Sequence, residues 1–502
     1  MFLSTSISRQ FLGNFVTRFS GLLFGFILDY LFAHKLGANK YGAFSFCLAM
    51  VNVLSVFSVL GIPTSIIKHL SGFEKDKTSG SKYIFYSVKL VFFISVILGV
   101  LASILSYMFP HIINADKSIV IPYIPLFSVY LVAFSLNRIF QGVFDGLSHS
   151  SFSILNKEVL GRLIKLAIFL VIGFALNFSF LTMCLSFLIG EIITMFIFYF
   201  TLESKKGLKI ADLIKEPLSK TEKNKYIIYS ISIAASSIIA LFLGEINKII
   251  LGLYLSYSDV AIYTICLNLS VIILVGLSIV NSIVMPKAAQ YYKDNNVPAL
   301  QSLYKFSSNV ITMVVLPVFL GLLLYSSNIL ALYGKEYVKG SVILPILSSA
   351  VFINAITGAN YPLIVMSKHY KFEFYNTIIA AALNFLLLFL LVRFIGLKGA
   401  AICYFVIQLS LNVIRCIFLY IKYKLVPYDV KYLYFFIIPL LAWPLYNGLN
   451  LLAIPVLIKL GLNLSVLSIA SCIIYVKLVS GPIEKALLVK APLVGALISK
   501  YI

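Results

Sequence analysis

Negative charge is scarce in this chain. Only 18 Asp and Glu stand against 40 Lys and Arg among 502 residues, and all four types together make 12%. A water-soluble chain of this length carries about twice that charged fraction, so most of this surface faces a solvent other than water. Tryptophan occurs once. The cysteines (Cys47, Cys184, Cys266, Cys403, Cys416, Cys472) sit in apolar stretches and form no Cys-x-x-Cys, which excludes a thiolate metal knuckle and a disulfide framework and leaves packing. The histidines (His34, His69, His111, His149, His369) are dispersed near segment ends, with no His-Glu-x-x-His spacing, so a zinc site is not expected.

What is abundant is apolar. Hydrophobic residues make 61% of the chain and mean hydropathy is +1.01. Phe and Tyr supply nearly all of a 15% aromatic content, which suits lipid contact and interfacial belts. A helix needs about 20 apolar residues to cross the hydrocarbon core. Stretches such as 41–67, 90–115, 166–190, 260–286, 306–334 and 432–458 run that long without a single Asp, Glu, Lys or Arg. Spans are expected near 11–33, 41–63, 84–109, 119–140, 159–176, 180–202, 226–252, 259–284, 307–332, 341–366, 374–394, 398–420, 432–450 and 461–479. Residues 19–33 have the look of a signal-peptide core, but Asp29 interrupts them, no small-residue cleavage site follows, and they read as the first span. The expected class is therefore an all-α polytopic membrane protein with about fourteen transmembrane helices.

Lysine and arginine stay on the cytoplasmic side during insertion. With both termini placed inside, 28 of them fall in inside segments and 8 in outside loops. That bias fixes the expected orientation, a plasma (inner) membrane protein with cytoplasmic termini. It also accounts for most of the +22 net charge without nucleic acid. Every outside loop is short, so no extracytoplasmic domain is expected. The longest soluble stretch, 203–225, is rich in Lys and amphipathic at Leu208, Ile210, Leu213 and Ile214. It reads as a hinge between two halves, or as a segment lying on the anionic inner leaflet.

The chain also repeats itself. Leu28-Asp29-Tyr30 followed by Tyr41-Gly42-Ala43-Phe44 answers Ile246-Asn247-Lys248 followed by Val260-Ala261-Ile262-Tyr263, and Gly146-Leu147-Ser148-His149 answers Val365-Met366-Ser367-Lys368. The nearly constant offset equals six spans, so spans 1–6 recur as 7–12 in the same orientation. The expected division is an N-terminal six-helix bundle over 1–202, a cytoplasmic linker over 203–225, a second bundle over 226–425, and spans 13 and 14 with a cytoplasmic tail over 426–502.

Several segments, in order, carry a family resemblance over roughly residues 5–425. They are Leu36-Gly37-Ala38-Asn39-Lys40-Tyr41-Gly42, Leu60-Gly61-Ile62-Pro63, Phe140-Gln141-Gly142-Val143-Phe144-Asp145-Gly146, Tyr333-Gly334-Lys335-Glu336-Tyr337 and Ile395-Gly396-Leu397-Lys398-Gly399-Ala400-Ala401. The chain resembles the polysaccharide transport (Wzx-type) flippases of the multidrug/oligosaccharidyl-lipid/polysaccharide exporter superfamily. It departs from them at Ala261, where the family usually has Gly. The resemblance implies two six-helix bundles in a V, alternately open to each side, and a lipid-linked oligosaccharide on polyprenyl diphosphate as substrate.

Charges inside spans are expensive and mark candidate sites. In span 1, Asn14, Arg18, Gly21, Gly25 and Asp29 fall on one stripe. The stripe faces a hydrated cavity or the bundle; alternatively Arg18 snorkels to the interface. Gly21 and Gly25 form a Gly-x-x-x-Gly that permits close helix approach. In span 7, Ser230, Ser237, Gly244 and Lys248 share a face, and Glu245 is three residues from Lys248, close enough to pair. Lys248 is a candidate to attract the diphosphate and Glu245 to carry a coupling proton or sodium; the alternative is a structural ion pair. Glu191 is mid-span, with no Lys or Arg near it in sequence, so it needs a partner from another helix or a proton. Lys89 and Arg415 sit near enough to span ends to snorkel. Arg138, Arg162 and Lys165 flank the expected cytoplasmic mouth, where ordinary inside charges would look the same. The expected substrate residues are Asn14, Arg18, Asp29, Arg138 and Lys248, with Glu245 and Glu191 for a coupling ion.

No cofactor is expected beyond H+ or Na+ coupling. Expected partners are the lipid-linked oligosaccharide, membrane lipids and a glycan polymerase or ligase, without nucleic acid. Multidrug and peptidoglycan-precursor exporters of the same superfamily are the nearest rivals. More basic than acidic in-span residues favour an anionic substrate. An enzyme is disfavoured, because neither a large outside loop nor an in-membrane His/Asp pair is present.

Overall fold

A computed structural model describes residues 5–70, 77–110, 117–147, 149–206 and 218–480. The amphipathic part of the 203–225 linker and the tail beyond 480 lie outside them. The main helices are α1 (Thr5–Val59), α2 (Ile62–Leu70), α3 (Lys77–Met108), α4 (Ile124–Gly146), α5 (Gly161–Leu176), α6 (Phe180–Lys206), α7 (Lys220–Tyr254) and α8 (Tyr257–Val271). They continue as α9 (Leu274–Lys293), α10 (Val297–Leu324), α11 (Ile343–Ile356), α12 (Tyr370–Ile395), α13 (Leu397–Tyr423), α14 (Ile437–Leu451) and α15 (Val456–Ile474). Among the described residues there is no strand.

Each expected span lies largely on helix. Ten helices among the described residues are long and apolar enough to cross a membrane, or twelve if each of two bent pairs is one span. Two features separate these numbers from fourteen. Phe19–Val59 counts as one helix although it covers the first two expected spans. Only Gly37 (φ 77, ψ 168) interrupts its helical backbone, a left-handed turn open to a residue without Cβ. The central side chains of α7, on the seventh expected span, lie outside the described residues. The eighth expected span is broken: α8 and α9 meet at 47°. The tenth is bent at its start, where a short helix at Lys335–Ser341 meets α11 at 50°, and beyond Ile356 Gly358 (φ 69) turns the chain before a short helix at Asn360–Val365.

The apolar pattern separates lipid-facing helices from central ones. Only 17% of the most apolar part of α3 is buried within the protein, against 67% for α1 and 61% for α10. Exposed Phe92, Phe93, Ile97 and Leu101 cover the outer side of α3, an apolar surface that only lipid can solvate. Helix α7 starts earlier than its apolar run because Ser219 caps it. The Ser219 hydroxyl accepts from Glu222 N–H (3.3 Å), and Glu222 Oε2 accepts from Ser219 N–H (2.8 Å), a complete capping box. The hydroxyl and backbone N–H of Ser219 hold the Glu222 carboxyl below its usual pKa.

The chain folds as two compact units, residues 1–265 with 388–397, and residues 266–387 with 398–502. The first unit thus contains α7 in addition to α1–α6. In the second, α14 and α15 pack on α10 through Leu316, Leu320, Ile438, Ala442 and Leu467. Two hydrogen bonds add to that packing: Ser471 Oγ donates to Met313 O (2.8 Å), and Thr312 Oγ1 lies 2.7 Å from Tyr432 Oη.

Polar ties of the same kind occur in both halves of the sequence. Tyr41 Oη donates to Asp29 Oδ1 (2.9 Å), and Asn247 Nδ2 donates to Tyr263 Oη (2.7 Å). Ser58 and Ser135 hydroxyls meet at 2.6 Å, as Ser270 and Ser348 hydroxyls do at 3.0 Å. Asn137 bonds Thr194 (3.1 Å), and Asn360 bonds Asn412 (2.9 Å). Water is absent from the hydrocarbon, so each polar side chain there needs a protein partner. Such a bond contributes about 1 kcal/mol. Ser270→Ala is accordingly expected to lower the unfolding midpoint in detergent by a small, measurable amount, and an unchanged midpoint would assign the Ser270–Ser348 tie no net worth.

Candidate functional site

The first unit gathers several of the expected residues along one polar row. Asn52, Ser55 and Ser58 recur every third residue on the second limb of α1, inside a run without any charge. Asn52 Nδ2 donates to Glu245 Oε1 on α7 (3.2 Å). Arg138 Nη1 on α4 donates to Ser55 Oγ (3.0 Å), and Ser55 Oγ donates to Asn52 O (2.7 Å). Lys248 Nζ pairs with Glu245 Oε2 at 3.0 Å, and the two side chains are 14% and 16% exposed. Lys248, Glu245 and Arg138 therefore belong to one hydrogen-bonded row across α7, α1 and α4. Beside it, an added Cβ at Gly244 meets nothing within 4 Å among the described residues. Among the described residues, that part of the α7 face is open.

A second network adjoins the first through α4. Asn137, next to Arg138 in the chain, turns the other way and donates to Glu191 O and Oε1, both at 2.8 Å. Glu191 Oε2 also pairs with Lys165 Nζ of α5 at 2.6 Å, with side chains 9% and 14% exposed. Lys165 further lies 4.8 Å from the Phe187 ring centroid, a cation–π contact. Glu191 thus has its partner from another helix. Lys165, which reads in sequence as an ordinary inside charge, is a buried member of the network.

The stripe on the first limb of α1 packs against the bundle. An added Cβ on Gly21 would fall 2.7 Å from Glu158 O, and one on Gly25 would fall 2.8 Å from Arg162 Nη1. Arg162 donates to Gly21 O and pairs with Glu158 at 2.9 Å. The Gly-x-x-x-Gly spacing serves this close approach. Asp29, on the same stripe, accepts from Tyr41 across the Gly37 turn. Asn14 and Arg18 lie on α1, but their side chains, like that of Ser237, are outside the described residues.

The second unit holds an ion pair that sequence reasoning missed. Arg415, on α13, does not snorkel. Its Nε donates to Glu373 Oε1 and Oε2 (3.2 and 3.0 Å), its Nη2 bonds Oε1 as well, and the pair is 11% and 7% exposed. The guanidinium lies 5.5 Å from the Tyr361 ring centroid. Glu373 falls at the edge of a short loop in the sequence, where nothing distinguishes it from a solvated residue. Asn52 and Ser55 carry a weak signal, a three-residue spacing of polar groups in an uncharged run. A search for formal charges passes over it.

The arrangement sets fixed cations beside a carboxylate, which can hold an anion and can move a proton or cation. Fold and row together define a polytopic membrane protein with a buried, charged polar row. In fold the chain is similar to a lipid II flippase MurJ in an inward closed conformation, at 15% identity and TM-score 0.69, over 92% of this chain and 98% of that one. It is also similar to an inward-facing multidrug resistance MATE family transporter of the MOP superfamily, at 15% identity and TM-score 0.64, over 82% and 98%. In sequence it is 23% identical over 410 residues to a probable low-salt glycan biosynthesis flippase, Agl15, of Haloferax volcanii, covering 79% of this chain and 80% of that protein. The chain belongs to the polysaccharide biosynthesis protein family, whose model matches residues 9–292.

Proposed function

We propose that this multi-pass membrane protein flips a polyprenyl-diphosphate-linked oligosaccharide, the repeat unit of a surface glycan, from the cytoplasmic to the outer leaflet of the plasma membrane. Transport is by alternating access, coupled to H+ or Na+. The family match and the named glycan flippase of Haloferax volcanii support the substrate class. The observation that carries the reading is the row joining Arg138 and Lys248 within apolar helices. The substrate's tail can stay in lipid, while its phosphates and sugars cannot cross hydrocarbon unsolvated. Fixed cations in a hydrated row replace part of the lost solvation. Asn14, Arg18 and Asp29 extend the substrate path, and Glu245 or Glu191 carries the coupling ion. The chain moves its substrate without covalent chemistry and hands it to a glycan polymerase or ligase. Its termini face the cytoplasm, and 1–202 and 226–425 are the two repeats.

Deleting the gene and extracting lipid-linked oligosaccharides tests this. Complete oligosaccharide lipid is expected to accumulate inside while surface polymer vanishes. Wild-type protein is expected to restore the polymer, and Lys248→Ala or Arg138→Ala, expressed at equal level, to fall at least about tenfold short. Unchanged surface glycan with raised sensitivity to cationic drugs would move the substrate to the multidrug class. Accumulated peptidoglycan precursor would move it to the precursor-exporter class.

A further inference from the structure

A second cationic feature lies apart from the row. Lys82, Phe85, Tyr86, Lys89 and Phe93 occupy one face of α3 at positions i, i+3, i+4, i+7 and i+11. With Lys223 from the first turn of α7 they line a groove of about 210 Å³ in the first unit. Lys223 Nζ lies 5.7 Å from the Tyr86 ring centroid, which holds it over the groove. Lys89 is exposed although it stands inside the span. Going along α3 toward Met108, the groove runs into the lipid-facing surface of Phe92, Phe93 and Ile97. Glu222 is close enough to Lys82 to feel its charge, and among the described residues lining the groove three are lysines and none is acidic.

This graded surface, cationic at the expected cytoplasmic end and apolar toward the bilayer centre, matches a lipid with an anionic head and acyl chains. Lysines at headgroup depth attract anionic lipid, and their long stems let the ammonium groups reach the phosphate plane. The first turn of α7 adds the positive end of its helix dipole. We propose that the groove between α3 and the start of α7 is a binding site for an anionic phospholipid of the inner leaflet, with Lys82, Lys89 and Lys223 on its phosphate and Phe93 against an acyl chain. A lipid seated there ties α3 to α7, so anionic lipid content becomes a variable in the protein's stability. The row at Glu245 plays no part in it.

The full chain, delipidated in mild detergent, is titrated with phosphatidylglycerol or phosphatidylcholine, and bound lipid is counted by native mass spectrometry. Phosphatidylglycerol is expected to bind about tenfold more tightly than phosphatidylcholine. Lys89→Gln/Lys223→Gln is expected to erase that preference, while Lys89→Arg/Lys223→Arg and the distant Lys339→Gln retain it. The arginine variant keeps the test decisive if the glutamine variant fails to fold, since loss of the preference in a folded, charge-retaining protein contradicts the assignment. Equal binding of the two lipids by the wild type, or an unchanged preference in a folded glutamine variant, overturns the proposal. Displacement of phosphatidylglycerol by undecaprenyl diphosphate at equal concentration gives the groove to the transported lipid instead, and also overturns it.

Discussion

Lys165→Met is expected to lower the unfolding midpoint sharply. Lys165 Nζ sits 2.6 Å from Glu191 Oε2, with both side chains largely removed from solvent. Removing the ammonium leaves a buried carboxylate without its cation, held by Asn137 on another helix, at a cost of about 3–5 kcal/mol. Glu191→Gln leaves the ammonium alone and is expected to cost a similar amount. The pair Lys165→Met/Glu191→Gln removes both charges while the glutamine oxygen still accepts from Asn137, so most of the loss should return. Thermal unfolding of the three variants in one detergent closes the cycle. A different result has a distinct meaning. If Glu191→Gln unfolds like the wild type yet transports nothing, Glu191 exchanges an ion during the cycle, and its bond to Lys165 is one state of that exchange.

Gly42→Ala is expected to be at least as damaging, although it adds one methyl group. A Cβ on Gly42 would overlap the carbonyl oxygen of Tyr257 and lie 3.0 Å from Ala261 N. Both are backbone, and no rotamer can move them aside. The second limb of α1 and the first turn of α8 must part, at a cost of about 3 kcal/mol or more. The yield of folded monomer and its unfolding midpoint measure this. Gly244→Ala is the contrasting control. Its Cβ meets no described atom, and alanine is the better helix former, so its midpoint should hold or rise.

These two glycines show what a sequence reveals of such a fold. The segment Leu36 to Gly42 stands out as a motif, and the structure explains it mechanically: Gly37 turns the helix and Gly42 admits a neighbouring backbone. The spans were legible because hydrocarbon demands a length and a composition that few other structures share. Their breaks were not. No glycine or proline marks the bend between α8 and α9 at 272–273. The Glu245–Lys248 pair was legible because residues three apart are neighbours on one helix face. Glu191 with Lys165 and Arg415 with Glu373 were not, because their spacings depend on how whole helices dock. Asn52 and Ser55 are quieter still. Uncharged polar residues are common in membrane helices, and only their bonds to Glu245 and Arg138 single these two out.

The recurring ties have an evolutionary consequence. One half binds two helices with Lys165 and Glu191, the other with Glu373 and Arg415, the signs exchanged and the position slid along the helices. Aspartate with tyrosine in one half corresponds to asparagine with tyrosine in the other. Paired serines recur in both halves, and an asparagine donates in both of the remaining ties. Selection on such a tie preserves a bond between two helices and leaves its chemistry free to drift, since any donor and acceptor that meet there satisfy the same need. Comparing which helices are tied together therefore reveals a likeness between segments where comparing residues does not.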